Sequence, residues 1–189
     1  NSVKELIISE IEIGQIRLDA RLLLDFFDIF KELNDGINFK SNLRKLLSLD
    51  KWILSSKDSI EIREQQTQMS KSLFDLTKEF GFEYPYEKNK KSSWPLAWTW
   101  ACFCFEIAEL EMIENFLYAW SANQLSAALR LIPMGSTKAQ LIQIDLLAII
   151  SEVSKEIMDK KINDIYFGNV GLAMAQQNHN ELYTKLFRN

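Results

Sequence analysis

Apolar side chains recur at helical spacing throughout residues 3–33. The recurring positions are Ile7, Ile11, Leu18, Leu22, Phe26, Ile29 and Leu33. This spacing predicts one long α-helix with a broad buried face, and the run Asn34-Asp35-Gly36 is expected to end it. The 189 residues include only 6 glycines and 3 prolines, which is typical of long helices joined by few turns.

The remainder of the chain predicts more helices and lacks the period-two alternation of strands. The expected helices cover 39–49, 56–80, 94 onward, 109–130, 137 to about 160, and 168–177. The expected N-caps are Ser55 or Ser56 for the helix that ends at Phe80, Ser93 for the next, and Ser136 or Thr137 for the helix that ends near residue 160. Pro95 lies in the first turn of the helix that Ser93 caps. Residues 82–92 are expected to form an exposed connection. We therefore predict an all-α fold, a single globular domain over 1–189 with about seven or eight helices and a C-terminal tail at 179–189.

Charge and hydropathy exclude two classes of partner. The net charge is −4 and the basic residues form no stripe, so nucleic acid is not an expected partner. No membrane partner is expected either. The longest nearly apolar run, Trp94–Phe105, is too short to span a bilayer.

Without an export signal we expect a cytoplasmic location. Because the chain begins with Asn1 instead of Met, we expect a fragment that lacks its true N-terminus.

The residues that usually carry catalysis are scarce. His179 is the only histidine, and there is neither a phosphate-binding glycine-rich loop nor a nucleophile elbow. Cys102 and Cys104 are two apart in a helical context and would point to different faces, which disfavours a disulfide or a shared metal. We expect no catalytic residue, no cofactor and no resident metal, so the chain is not expected to be an enzyme.

Residues 116–140 combine an apolar helix with a stripe of polar residues. Asn123, Ser126 and Arg130 fall on one face at helical spacing, and no Lys or Glu lies between Asn115 and Leu129. A helix that only fills a core has no use for such a stripe, and a helix that only faces water usually carries Lys and Glu. The pattern predicts a polar seam, inside the fold or at an interface. Its members are Tyr118, Asn123, Ser126, Arg130, Ser136 and Gln140.

Several segments resemble the UreF family of urease accessory proteins. Residues 183–189, YTKLFRN, are similar to that family's closing Tyr-Ser-Arg-Leu-Phe-Arg-Ser signature, and His179 lies four residues upstream. The helix match falls on Tyr118, Trp120, Asn123, Ala127 and Arg130. Residues 132–140 resemble the family loop Val-Pro-Leu-Gly-Gln-Thr-x-Gly-Gln that follows. A fainter match to the family's Glu-Leu-Arg…Gln-Met-Gly helix motif falls on Glu61, Arg63 and Gln68.

The chain also departs from the family pattern. Ser70, Thr99, Glu106 and Ala139 stand where glycine is usual, which implies a looser approach of helices or compensating repacking. The family's N-terminal Phe-Pro-x-Gly…His-Ser-x-Gly-Leu-Glu segment is missing, which agrees with the expected fragment.

The resemblance implies a non-catalytic chaperone of urease maturation. Such a protein bridges a companion accessory protein of the D/H type and the metal-carrying GTPase, supports nickel insertion into the urease apoprotein, and forms a homodimer in the complex. The implied partner-binding tail residues are His179, Tyr183, Leu186, Phe187 and Arg188. The polar seam is then a wet polar passage or a surface that faces the GTPase. Alternatively, neighbouring carbonyls satisfy its arginine and amides.

Two other functions remain open from the residues alone. The tryptophan cluster at Trp94–Trp100 would suit a small-molecule-binding helical domain. An enzyme with a buried site of Asn123, Arg130 and Gln140 is the third hypothesis.

Overall fold

Seven helices and their connections make up the part of the chain that the computed structural model describes, residues 2–86 and 91–159. The helices are α1 (Ser2–Ile13), α2 (Gln15–Asn34), α3 (Phe39–Ser55), α4 (Ile60–Glu79), α5 (Trp94–Cys104), α6 (Glu109–Leu131) and α7 (Ser136–Asp159). No strand occurs among these residues, and the predicted all-α class is confirmed. Two compact units divide them, residues 2–27 with 105–159 and residues 28–86 with 91–104. The single-domain assignment stays a prediction.

The first helix of the sequence prediction is wrong in one respect, because it is divided at Gly14. The Gly14 amide donates to the Glu10 carbonyl at 3.0 Å, and the Gly14 carbonyl accepts from the Arg17 amide at 3.1 Å. A Cβ at position 14 would overlap the buried side chain of Glu10. Glycine therefore permits a close turn that hydrophobic periodicity does not reveal, since apolar residues continue at helical spacing on both sides of it.

Apolar packing among α1, α6 and α7 forms the core of the first unit. Helix α7 packs on α6 and on α1, and α1 also contacts α6. The buried α7 side chains recur every three or four residues, as one helical face requires. The main buried apolar residues of these helices are Ile7 and Ile11 on α1, Met112, Ile113, Phe116, Leu117 and Leu125 on α6, and Ile142, Leu146, Ile150, Val153 and Ile157 on α7.

Two ion pairs join the start of the chain to α7. The Arg17 Nη2 atom lies 2.6 Å from Glu156 Oε2, and the side chain of Arg17 is only 7% exposed. The second pair joins Lys4 Nζ to Asp145 Oδ2 at 2.7 Å, with both side chains more than a third exposed. Because a buried cation without its partner is costly and an exposed pair is screened by water, the Arg17 pair should matter more for stability.

We expect Glu156→Gln to lower the free energy of unfolding by about 2 kcal/mol, since it leaves the Arg17 guanidinium buried without a full counter-charge. The matched control, Asp145→Asn, should cost less than about 1 kcal/mol because that pair is exposed. Chemical denaturation of both variants measures the difference. Equal losses would contradict this ranking of the pairs.

Helices α4 and α5 pack together in the second unit through small side chains. Ser70 and Thr99, at two positions where the resemblance predicts glycine, are fully buried, as is Ala97. The Thr99 hydroxyl donates to the Pro95 carbonyl at 2.8 Å. Its polar atom is therefore satisfied within its own helix, which allows a threonine at a buried position.

The starts of α4 and α5 test the predicted N-caps. The expected cap of α4 at Ser55 or Ser56 is wrong, because α3 continues to Ser55 and the Ser59 hydroxyl caps α4 by accepting from the Ile62 amide at 3.2 Å. Helix α3 extends beyond residue 49 since its buried face continues through Asp50 and Ile53. The cap of α5 is confirmed: the Ser93 hydroxyl accepts from the Leu96 amide at 3.3 Å.

The connection between α4 and α5 is partly buried, contrary to the prediction of an exposed loop. Tyr84 is only 8% exposed, with its ring centroid 4.3 Å from that of Phe74 and 5.3 Å from that of Trp100. Ser92 is buried as well. Aromatic contacts outweigh the polar composition of this segment.

Glu106 lies between α5 and α6 with a φ of 54°. In this left-handed region Cβ crowds the following carbonyl, and glycine is the residue that adopts it at least cost. The glycine that the resemblance predicts at this position would adopt this conformation with less strain.

We expect Glu106→Gly to have a free energy of unfolding about 1 kcal/mol above that of Glu106→Ala, because only glycine relieves the left-handed strain. The alanine variant removes the glutamate side chain but keeps Cβ, so it is the matched control. Thermal and chemical unfolding of the pair measure the difference, and equal stability would rule out strain at this position.

Candidate partner-binding site

A short connection joins α6 to α7. The Ile132 amide donates to the Ala128 carbonyl at 3.0 Å and closes the end of α6. The Ala139 amide donates to the Gly135 carbonyl at 3.2 Å, so α7 begins at Ser136 with Gly135 before it. The predicted cap at Ser136 or Thr137 is therefore wrong, since Ser136 is already the first helical residue.

The buried face of α6 ends before this connection, and the buried face of α7 begins after it. Leu125 is the last buried residue of α6, and Ala139 is the first of α7. No residue from 126 to 138 is buried. The final turn of α6 and the first turn of α7 therefore present their side chains to solvent.

The members of the predicted polar seam lie on the solvent-exposed faces of α6 and α7 and on the turns that flank their connection. They are Tyr118, Asn123, Ser126, Arg130, Ser136 and Gln140, and each is exposed. These residues lie off the buried faces of the two helices, so the seam is not buried within the described part of the chain. The passage, the surface that faces the GTPase and the satisfaction of its polar groups by carbonyls stay predictions. The exposure of the seam also removes the geometric basis of a buried enzyme site at Asn123, Arg130 and Gln140.

Large apolar side chains accompany the seam on the same two helices. Leu141, Ile144 and Leu147 recur every third residue on α7 and are 58%, 62% and 48% exposed. Leu129, Leu131 and Ile132 are also exposed at the end of α6. We call the seam and these apolar residues together the α6–α7 face. The polar seam predicted from the sequence included Ser136 and Gln140 of α7 but not these exposed apolar residues, although α7 carries more apolar residues than one buried face needs.

The charges of the α6–α7 face are sparse. Arg130 forms no ion pair within the described part of the chain, and its guanidinium is exposed. The Gln143 side-chain amide donates to the Tyr118 carbonyl at 3.3 Å and links the two helices. An aromatic ring, aliphatic side chains and a single arginine are the residue types that protein interfaces favour.

Comparison with known proteins identifies the family. The UreF family model matches residues 1–147, which include the entire α6–α7 face. The chain belongs to the UreF family. The resemblance noted from the sequence is thus confirmed.

Its relatives include UreF proteins of Prochlorococcus marinus and Microcystis aeruginosa. Urease accessory protein UreF of Prochlorococcus marinus strain MIT 9312 is 86% identical over 189 residues, 100% of this chain and 83% of that protein. The UreF of subspecies pastoris strain PCC 9511 is 68% identical over 187 residues, 99% of this chain and 82% of that protein. The UreF of Microcystis aeruginosa is 28% identical over 177 residues, 93% of this chain and 75% of that protein.

The remaining UreF-like motif, Glu61, Arg63 and Gln68, lies on α4 in the second unit. Arg63 donates from Nε and Nη2 to the Lys57 carbonyl, at 3.1 and 2.8 Å. These bonds close the turn between α3 and α4. Gln68 is exposed and Glu61 is half-buried. The geometry gives Arg63 a structural contact, and a partner-binding role for the motif stays a prediction.

We expect Arg63→Met to lower the free energy of unfolding by about 1–2 kcal/mol, because the Lys57 carbonyl loses charge-assisted hydrogen bonds. Gln68→Ala, a control in the same motif, should change it by less than about 0.5 kcal/mol at an exposed position. Urea denaturation measures both. A neutral Arg63→Met variant would show that the turn does not depend on these bonds.

The partner-binding tail predicted at His179, Tyr183, Leu186, Phe187 and Arg188 lies outside the described residues. The same holds for the helix predicted over 168–177.

The tryptophans of the Trp94–Trp100 segment pack against other aromatic rings. The Trp94 and Trp98 centroids are 5.6 Å apart, and the Trp100 centroid lies 5.4 Å from that of Phe30. A cavity near this segment is lined by Leu96 but by none of these tryptophans. The geometry thus offers no support for a ligand held by the tryptophans themselves.

The two cysteines are poor ligands and nucleophiles at neutral pH. Burial raises the pKa of Cys102 to about 12 and that of Cys104 to about 11, so both remain neutral thiols.

In residues 2–86 and 91–159, no group of three or more His, Cys, Asp or Glu residues could hold a metal ion. No helix in these ranges has the length and apolar character needed to cross a membrane.

Proposed function

We propose that this UreF-family chain is a non-catalytic chaperone of urease maturation. It bridges a companion accessory protein of the D/H type and the metal-carrying GTPase, and the assembly supports nickel insertion into the urease apoprotein in the cytoplasm. Membership of a family of urease accessory proteins supports the general role. The bridging contacts are our inference.

The exposed α6–α7 face is the observation that carries the proposal. Leu141 and Ile144 are both more than half exposed, and burying one such side chain contributes about 2 kcal/mol. Exposed apolar residues next to polar ones are typical of protein-binding surfaces. Recognition of another protein is the activity that this face suits.

We assign the GTPase to the α6–α7 face and the companion accessory protein to the tail. Arg130 would meet an acidic group or a carbonyl of the GTPase, with the aliphatic residues packing around that contact. In the tail, Leu186 and Phe187 would bury in the companion protein. A homodimer in the complex would present each of these surfaces twice.

We expect Arg130→Glu to reduce capture of the GTPase at least about tenfold in co-purification from cells that express the urease accessory proteins, because it places a like charge against an acidic contact. Nickel-dependent urease activity in those cells should fall in parallel. Capture of the companion accessory protein should be unchanged, since the tail is intact.

Lys155→Glu is the matched control. Lys155 is exposed on α7 of the same unit but lies outside the α6–α7 face, and the change of charge is identical. Normal capture of the GTPase by Arg130→Glu, or an equal loss in Lys155→Glu, would refute the assignment of this face.

A further inference from the structure

The second unit contains a cavity of about 530 Å³ between α3, α4, α5 and the segment before α5. It shares no residue with the α6–α7 face. Leu47, Leu54 and Leu96 supply apolar walls, and Tyr84 and Tyr86 supply aromatic ones. Its volume lies within the range of sites that hold small organic molecules.

Positive charge predominates among the described residues that line this cavity. Lys51, Arg63 and Lys91 contribute cations, whereas Asp50 is the acidic residue, and its Oδ1 accepts from the Ser93 amide at 2.8 Å. Within the described residues, neither Lys51 nor Lys91 forms an ion pair. The chain as a whole carries a net charge of −4, so the positive charge of this cavity is opposite in sign to that of the whole chain.

Arg63 is held in place at the edge of this cavity. Its Nε and Nη2 atoms donate to the Lys57 carbonyl, which leaves the Nη1 group outside those bonds. A guanidinium fixed in this way loses little side-chain entropy when it binds an oxyanion. Burial raises the pKa of Tyr86 above its ordinary value of 10, so its phenol stays neutral and adds no negative charge.

We propose that this cavity binds a small organic anion that carries at least two negative charges on phosphate or carboxylate groups. The lysine ammonium groups and Arg63 contact the oxyanions, and the leucine and tyrosine side chains contact the body of the ligand. The assignment rests on charge and shape in the second unit and does not depend on the proposed role in urease maturation.

The test is isothermal titration calorimetry of the full chain with fructose 1,6-bisphosphate in one arm and citrate in the other. We expect saturable binding of at least one of these anions with a submillimolar Kd, and the arm that binds identifies the oxyanion as phosphate or carboxylate. The double variant Lys51→Gln/Lys91→Gln should raise that Kd at least about tenfold, because two charged contacts are lost. Both lysines are exposed at the cavity, so the variant should retain its circular dichroism spectrum.

The matched control is Lys45→Gln/Lys71→Gln, which removes the same charge from exposed positions of α3 and α4 that do not line the cavity. Its Kd should stay within about twofold of the parent. Absence of saturable binding of both anions up to about 10 mM would overturn the proposal, as would an equal loss in the control. Binding of hexaglutamate but of neither small anion would also overturn it, since the site would then take an acidic peptide.

Discussion

The packing of α7 against α6 and α1 supports the first unit, and it extends over only part of each helix. On α7 the buried line runs from Ala139 to Ile157, whereas on α6 it ends at Leu125. The last turns of α6 therefore extend beyond their own core. Because burial of apolar area is the dominant stabilising term in folding, the exposed leucines and isoleucines of the α6–α7 face represent apolar area that a binding partner would bury.

Charged side chains also stabilise contacts between segments in both units. Arg17 pairs with Glu156 across the first unit, Arg63 binds the carbonyl that precedes α4, and Asp50 accepts from the amide that precedes α5. Each joins segments distant in sequence or holds a backbone group that lacks a helical partner. The same residue types can also bind partners. The contacts of a charged residue within a motif must therefore be known before a role is assigned to it.

The two candidate binding surfaces differ in chemistry. The α6–α7 face combines exposed aliphatic residues with uncharged polar ones and Arg130, which suits a protein partner. The cavity of the second unit is concave and cationic, with Lys51 and Lys91 at its edge, which suits a small anion. The first assignment is part of the proposed function, and the second is an inference from this chain's own residues.

The sequence by itself determined the all-α class, the positions of most helices and the cap of α5 at Ser93, because helical periodicity and capping are local properties of the chain. It also indicated that residues 116–140 are unusual. Only the tertiary structure decided that this polar seam lies on the surface, that Tyr84 is buried in a polar connection, and that Gly14 divides the first helix. These outcomes depend on which faces distant segments cover, and a local pattern records that a face is apolar or polar without recording what packs against it.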